Sequence, residues 1–154
     1  MSNSAPAGID PRGPRFGATI TSFLLLVTVF LGLGSDTQQA AFFFLIFIAS
    51  LFGIGALLGT ARHPYGIIFK AFVRPRLSAP TELEDPRPPQ FAQSVGLLVT
   101  LIGIVLALLG VEYAVAFAAG AAFIAAFLNA AFAYCLGCQI YLGLKRVGLI
   151  KNAA

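Results

Sequence analysis

Two cysteines near the end of the chain are the residues best suited to chemistry. They lie three positions apart in the motif Cys135-Leu136-Gly137-Cys138, and the chain contains no other cysteine. Two thiols at this spacing suit disulfide exchange, sulfur transfer or metal binding, with one thiolate attacking and its neighbour resolving a mixed disulfide. On one helix the two sulfurs would share a face, and Gly137 would leave the backbone open to a partner. The alternative is that both cysteines are small apolar fillers within a helix.

His63, the single histidine, is a weaker candidate. It precedes Cys138 by 75 residues (138 − 63), which is the offset of an internal repeat described below, so it could face both cysteines as a third metal ligand. Two cysteines and one histidine remain one ligand short of a closed zinc site. The favoured interpretation is a basic residue at the end of a helix, just before Pro64. The sequence therefore predicts no metal site.

Asn129 is a strongly polar residue within an otherwise apolar segment. Small residues that would share its side of a helix are Ala118, Ala122, Ala125 and Ala126. This pattern predicts a packing stripe with one hydrogen-bonding side chain. Cys135 follows six residues later and would be turned away from Asn129, so the two are predicted not to share a site. Gly55 and Gly59 likewise predict close contact between helices.

The composition is typical of a chain that lies in a membrane. Hydrophobic residues make up 58% of the 154 positions and charged residues 10%, whereas soluble domains carry about 25% charged residues. The apolar runs are continuous and do not alternate, which favours helices over a barrel. Spans that could cross the hydrocarbon are predicted near 17–34, 40–60, 94–111 and 113–134. We therefore predict an all-α integral membrane protein with four transmembrane helices.

The last uncharged run is too long for one membrane crossing. It extends from Tyr113 to Leu144, and as a single helix it would be about 48 Å long. The hydrocarbon core is about 30 Å thick. The final third must therefore leave the core or bend, which predicts a cytoplasmic extension of the fourth helix with Cys135 at the membrane interface.

Charge is confined to the segments between the spans. All ten Lys and Arg residues would lie on one side: Arg12, Arg15, Arg62, Lys70, Arg74, Arg76, Arg87, Lys145, Arg146 and Lys151. The short turns on the other side carry only Asp36 and Glu112 as charges. By the positive-inside rule, the chain is predicted to be a multi-pass protein of the plasma membrane with both termini cytoplasmic. A net charge of +4 distributed in this way argues against a nucleic-acid partner.

The chain repeats one element before the first and third spans. Asp, Pro, Arg, Pro and Phe recur in register in residues 10–16 and 85–91. Each copy is followed by a helix, a tight acidic turn, a second helix and a basic stretch. This predicts two parallel repeats, about 10–76 and 85–151, related by an axis along the membrane normal and joined by an extended linker at about 77–84. The two Asp-Pro-Arg elements could also form a shared docking surface.

Three of these motifs resemble those of a family of small bacterial membrane proteins of unknown function. They are the Asp-Pro-Arg-x-Pro-x-Phe element, the stretch Arg74-Pro75-Arg76-Leu77, and the Cys-Leu-Gly-Cys motif. Members of that family are often encoded beside thioredoxin-like proteins and thiosulfate sulfurtransferases. The resemblance therefore implies a role in thiol redox or sulfur metabolism, and it supplies no established catalytic residues.

The leading hypothesis is a membrane-bound thiol-redox or sulfur relay. Cys135 and Cys138 would exchange electrons or a sulfane sulfur with a thioredoxin-like or sulfurtransferase partner on the cytoplasmic side. One alternative is a non-catalytic subunit that anchors or assembles partner proteins, in an oligomer or a larger membrane complex. Another is a carrier for a small sulfur species along the repeat axis. Tolerance of Cys-to-Ser changes would favour the anchoring subunit.

Overall fold

The structure is a computed structural model that describes residues 8–150. The described chain forms six α-helices: α1 (Arg12–Leu33), α2 (Gln38–Leu58), α3 (Pro64–Ile68), α4 (Arg87–Leu108), α5 (Ala114–Phe132) and α6 (Leu136–Arg146). One turn of π-helix, Phe69–Val73, and one turn of 3-10 helix, Arg74–Arg76, follow α3. Within residues 8–150 there is no β-strand, only one isolated bridge. The predicted all-α class is confirmed.

Helices α1, α2, α4 and α5 are long and apolar enough to cross a membrane. They contain 19 to 22 residues and are about 29–33 Å long, close to the thickness of the hydrocarbon core. Their outward-facing side chains are large and apolar, as in the exposed Phe23, Phe30, Leu108 and Phe117. Four candidate membrane spans are therefore present as predicted.

Two of these helices, α1 and α4, begin more than one turn before the predicted spans. α1 begins at Arg12 and α4 at Arg87, and proline lies in the first turns of both. Proline is tolerated there because the first backbone N–H groups of a helix have no partner within the helix. The prolines mark the beginnings of these helices, whereas the sequence analysis placed them before the spans.

The four long helices form an antiparallel bundle in which α1 packs mainly on α5 and α2 mainly on α4. α1 and α4 therefore lie at opposite corners. The core is formed by apolar residues that are fully or almost fully buried: Leu25, Ala41, Leu45, Ile48, Val115, Ala119 and Ala122. Close approach of α4 and α5 requires Gly103, where an added Cβ would overlap the Cβ of Ala118.

The segments that precede α1 and α4 contact each other. Ile9 and Glu84 form an antiparallel bridge, and each backbone N–H donates to the other's carbonyl at 2.9 Å. These residues are 75 positions apart (84 − 9), so they occupy the same register of the repeated element. This is the pairing that a twofold axis between the halves would produce. Superposition of the whole halves about an axis along the membrane normal stays a prediction.

The repeated Asp-Pro-Arg elements are helix caps. Asp10 accepts the backbone N–H of Arg12 at 3.0 Å, and Asp85 accepts that of Arg87 at 2.9 Å. Each carboxylate also pairs with the guanidinium of the same arginine, at 2.8 and 2.7 Å. The two carboxylates are thus occupied within their own elements, and the docking surface that their repetition suggested is not needed to explain them.

The basic residues of the described chain collect at one end of the bundle. They lie in the first turns of α1 and α4, or follow α2 and α5, whereas Asp36 and Glu112 occupy the turns at the other end. Lys151, which the sequence analysis assigned to the same side, lies outside the described residues. Because no membrane is present in the structure, the cytoplasmic assignment of the basic end stays a prediction.

Candidate functional site

The two cysteines lie at the beginning of α6, beyond the end of the last membrane span. The last span, α5, ends at Phe132, and Ala133 takes a left-handed conformation with φ of 55°. The N–H groups of Ala133 and Tyr134 close the end of α5 by donating to Asn129 and Leu128, at 3.1 and 3.2 Å. The long uncharged run therefore bends, and its cysteines belong to a separate helix.

Cys135 and Cys138 form a disulfide with their Cα atoms 5.2 Å apart. Cys135 is the N-cap of α6, and its Sγ accepts the backbone N–H of Cys138 at 3.3 Å. The expectation that both sulfurs lie on one face of the fourth transmembrane helix was wrong, because the chain breaks before the motif. Both residues are half-buried, so the pair lies at an edge and not within the core.

Gly137 and Tyr141 fasten α6 to α4. A Cβ added at Gly137 would lie 2.5 Å from both the Cα and the Cβ of Ala92, so only glycine permits this approach. One turn later the buried Tyr141 packs against Phe91, with ring centroids 5.6 Å apart. The expectation that Gly137 leaves backbone open to a partner was wrong, because α4 occupies that face.

A cavity of about 610 Å³ lies beside the disulfide. Its walls come from α1, α4, α5 and α6, with Phe52 contributed by α2. On α4 it is lined from Pro88 to Val99, a distance of about 16 Å along the helix. It thus runs from the cysteine end of the bundle to about the middle of the membrane-spanning helices, and its volume falls in the range of pockets for small organic ligands.

The apolar wall of the cavity is made by the alanine stripe of α5. Ala122, Ala125 and Ala126 line it, whereas Ala118, one turn nearer the other end, packs on Gly103. The predicted helix-packing role is confirmed for Ala118 and for Ala122, which is also part of the buried core, and Ala126 packs against that core while bordering the cavity. Because alanine ends at Cβ, these positions leave a space that larger side chains would fill.

Asn129 and Cys135 line the same cavity. The expectation that they do not share a site was wrong, because it assumed one continuous helix. The reversal at Ala133 brings Cys135 back toward the face that carries Asn129. Gln93 of α4 also lines this cavity, and its side chain packs over Gly55, the α2 glycine for which helix contact was predicted. Amide groups therefore lie in an otherwise apolar space.

Charged side chains lie only at the outer end of the cavity lining. They are Arg15, Glu84 and Asp85. The hydrogen bond from Arg87, with the added favourable charge interaction, lowers the pKa of the Asp85 carboxyl below its ordinary value, so it is ionised at neutral pH. Arg15, Glu84 and the Asp85–Arg87 ion pair therefore surround the opening. The interior is lined mainly by alanine, valine and phenylalanine, with the polar side chains of Thr21, Gln93 and Asn129.

His63 lies in a different environment from the cysteines. It is buried, its Nε2 lies 3.0 Å from the Leu51 carbonyl oxygen, and its Nδ1 accepts the backbone N–H of Tyr65 at 3.2 Å. Both ring nitrogens are therefore occupied. Among residues 8–150 no three His, Cys, Asp or Glu side chains form a group that could hold a metal ion. The structure does not bring His63 to Cys135 and Cys138 as metal ligands.

His63 nevertheless corresponds to one of the cysteines in structural role. It is the N-cap of α3, as Cys135 is the N-cap of α6, and the two are 72 residues apart (135 − 63). Tyr65 and Gly137 keep this offset (137 − 65 = 72), and their partners, Gly17 of α1 and Ala92 of α4, keep the 75-residue offset of the repeated element (92 − 17 = 75). The sequence alignment of His63 with Cys138 was therefore three residues out of register.

The fold and the site together define a small helical protein with four apolar spans and a cysteine pair beside a cavity. The chain belongs to the family described as a domain of unknown function (DUF4395), whose profile matches residues 9–146. No curated protein and no solved structure matched the chain. The resemblance to an uncharacterised family is thereby confirmed, and the association of that family with sulfur-metabolism genes stays an expectation.

Proposed function

We propose that this protein is a membrane-bound thiol–disulfide relay whose redox centre is the Cys135–Cys138 pair. The observation that carries the proposal is the position of the pair, which forms a disulfide at a helix N-terminus beside a cavity. A structural disulfide would be sealed in a core or would join distant segments. This one closes a loop of four residues and is half-buried, as a reactive pair must be to meet a partner.

Cys135 is the residue of the pair that reacts with the partner. Its Sγ is attacked when the pair is a disulfide, and its thiolate attacks when the pair is reduced. Its Sγ already accepts the N–H of Cys138, and the partial positive charge at the beginning of α6 stabilises a thiolate there. Lys145 and Arg146 lie at the far end of α6, so they contribute little to this stabilisation. The N-terminal end of α6, which the sequence did not predict, has the stronger effect on the Cys135 thiolate.

The exchange reaction transfers two electrons and two protons from the partner's thiols to the Cys135–Cys138 pair. A thiolate of a soluble dithiol partner attacks Sγ of Cys135, and Cys138 leaves as a thiolate that takes up a proton. The second partner thiol then attacks the partner's own sulfur in the mixed disulfide and releases Cys135. The partner gains a disulfide, and the membrane protein gains two thiols. The reverse sequence oxidises the pair.

The partner is a thioredoxin-like or sulfurtransferase protein that approaches the basic end of the bundle. We assign this end to the cytoplasm and the four spans to the plasma membrane. The basic residues near the cysteines support this side. A reporter active only outside the cytoplasm should be silent when fused after Ala154, which lies outside the described residues, and active when inserted near Asp36. The opposite pattern would overturn the assignment.

The cysteine variants test the proposed function directly. In cells, Cys138→Ser should accumulate a mixed disulfide with a soluble protein through Cys135, because the resolving thiol is missing. Cys135→Ser, the matched control, should form none and should lose dithiol exchange by more than about 100-fold. A sulfur-transfer version would instead show a persulfide on Cys135 by intact mass. Normal growth and sulfur metabolism with both cysteines replaced by alanine would favour the anchoring subunit.

A further inference from the structure

We propose that the cavity beside Cys135–Cys138 binds the head group of a membrane quinone, which accepts the two electrons of the reduced pair. This inference rests on the proposed relay and names its membrane-side reactant. A redox pair that receives electrons from a soluble dithiol must pass them to a second reactant. Without one, the pair stays reduced after a single reaction. The bilayer supplies one class of two-electron oxidant that is soluble in hydrocarbon, and quinones are able to oxidise protein dithiols.

The shape and lining of the cavity fit a flat ring. Ala122, Ala125 and Ala126 give one wall that is free of long side chains, and Phe52 contributes an aromatic ring to the lining. The volume of about 610 Å³ is that of a pocket for a small organic ligand. Since the cavity extends to about the middle of the spans, its occupant would reside at the depth of the hydrocarbon core.

Two amides supply the polar contacts that a quinone carbonyl requires. Asn129 and Gln93 line the cavity from α5 and α4, and each amide nitrogen can donate two hydrogen bonds. A quinone has two carbonyl acceptors on an otherwise apolar ring, so amide donors from two helices match its chemistry. Asn129 lies in the last turns of α5, the end of the cavity lining that leads to Cys135.

The charges argue against a small sulfur oxyanion as the occupant. The charged residues of the lining are Arg15, Glu84 and Asp85, and Asp85 is paired with Arg87, so the opening offers an anion no net positive charge. The interior holds no cation, and a buried anion without one carries a large desolvation penalty. A neutral, lipid-soluble molecule avoids that penalty. The lining therefore favours a quinone over the thiosulfate-like cargo of a sulfur carrier.

The electron transfer can be written in two covalent steps. The Cys135 thiolate adds to a ring carbon of the quinone, and a proton moves to the carbonyl oxygen, whose developing negative charge the Asn129 amide stabilises. The Cys138 thiolate then attacks Sγ of Cys135, forming the disulfide and breaking the carbon–sulfur bond. The bonding electron pair enters the ring and a second proton completes the quinol. One quinone and two thiols give one quinol and one disulfide.

Decylubiquinone tests this inference in the purified full-length chain. The protein is placed in lipid nanodiscs, reduced with a soluble dithiol, freed of excess dithiol and mixed with the quinone, whose ring is fully substituted. We expect one equivalent of quinone to be reduced, with loss of maleimide labelling at both cysteines. Ala126→Phe, which fills the cavity, should slow quinone reduction by at least about tenfold. The matched control, Ala131→Phe on an exposed position of α5 outside the cavity, should leave it unchanged.

A second variant and a second reaction separate the possible failures. Asn129→Leu removes the amide without filling the cavity with a ring, and it should slow quinone reduction several-fold. Exchange with the soluble dithiol is the second reaction, and Ala131→Phe, outside the cavity, should leave it unchanged. If the pair exchanges with the dithiol but does not reduce quinone, or if Ala126→Phe and Asn129→Leu both equal the wild type, the quinone site is overturned and the relay stands. If the pair reacts with neither reagent, both proposals are overturned.

Discussion

The junctions that precede α3 and α6 have the same backbone arrangement, but the first is sealed and the second borders the cavity. In the first half, His63 caps α3 and the ring of Tyr65 lies against Gly17 of α1. In the second half, Cys135 caps α6 and Gly137 lies against Ala92 of α4. The first junction is closed by an aromatic ring and a buried imidazole, whereas the second has a glycine in that place and borders the cavity. One backbone arrangement thus gives a sealed joint or an accessible site, depending on the side chains.

The largest effect should follow from adding a side chain to the second junction. In Gly137→Leu the new Cβ would meet the backbone of Ala92, which cannot move as a flexible side chain could. We expect a loss of about 3 kcal/mol in the free energy of unfolding, measured by thermal unfolding in detergent. The matched control is Gly143→Ala on the same helix, where an added Cβ meets nothing within 4 Å. Equal effects at Gly137 and Gly143 would contradict the docking of α6 on α4.

Replacing His63 at the first junction should lower the free energy of unfolding by less than the change at Gly137. His63→Leu removes the partners of the Leu51 carbonyl and the Tyr65 N–H, and unsatisfied buried groups destabilise by about 2 kcal/mol. His63→Asn retains an oxygen that can accept at the N-cap, so its effect should be roughly half as large. Thiol exchange by Cys135 and Cys138 should be unchanged in both variants. A loss of exchange with normal stability would show that His63 acts on the cysteine site after all.

Asp10 and Asp85 should contribute differently to the free energy of unfolding although their hydrogen bonds match. The Asp10 side chain is 4% exposed and that of Asp85 is 36% exposed. Asp10→Ala should lower the free energy of unfolding by about 1–2 kcal/mol, and Asp85→Ala by about 0.5 kcal/mol because water screens the more exposed ion pair. Chemical denaturation of the two variants side by side measures the difference. Equal losses would show that the halves are energetically equivalent at this position.

The smallest expected effect is a dependence of stability on mildly acidic pH. Burial lowers the pKa of His63 below its ordinary value of 6.5, and the hydrogen bond to Leu51 offsets this only in part. The unfolded chain therefore binds a proton more readily than the folded one. Stability should be complete above about pH 6.5 and should fall as the pH drops toward the folded pKa.

His63→Asn provides the control for this pH dependence, since its unfolding temperature should not change between pH 7 and pH 5. Tyr65, whose ring centroid lies 4.6 Å from that of His63, keeps its proton throughout this window. The pKa values of Asp10 and Asp85 are lowered by their bonds to Arg12 and Arg87, so these carboxylates titrate only below about pH 4. The same pH slope in wild type and variant would assign the effect to another group.

The membrane spans could be predicted because they depend on average composition over about 20 residues. The length of the last uncharged run predicted that its final third leaves the core or bends, but the position of the break at Ala133 could not be predicted, because no glycine or proline marks it. An alanine adopts the left-handed conformation there, and only the closure of α5 by Ala133 and Tyr134 explains why. The errors about the shared face of the two sulfurs and about Asn129 follow from this break, which moves Cys135 from the middle of a helix to the beginning of another, whereas the error about Gly137 follows from the packing of α6 on α4.

The cavity could not be predicted because small residues have two opposite uses. A stripe of alanines permits close packing when another helix fills the space, as Gly103 of α4 does at Ala118. The same stripe leaves a void when none does, as at Ala125 and Ala126. Which outcome occurs depends on helix separation, a tertiary property that the spacing of residues along one helix does not contain.

The bridge between Ile9 and Glu84 has a consequence for how the protein is made. Ribosomes add about 5–20 residues per second, so the 75 residues (84 − 9) that separate Ile9 from Glu84 take about 4–15 seconds to appear. During this delay Ile9 lacks the backbone partner that it has in the folded chain. α1 also waits for α5, its main neighbour, to be synthesised. We therefore expect the first hairpin, expressed alone, to be inserted into the membrane and then degraded, and co-expression of the second hairpin to rescue it.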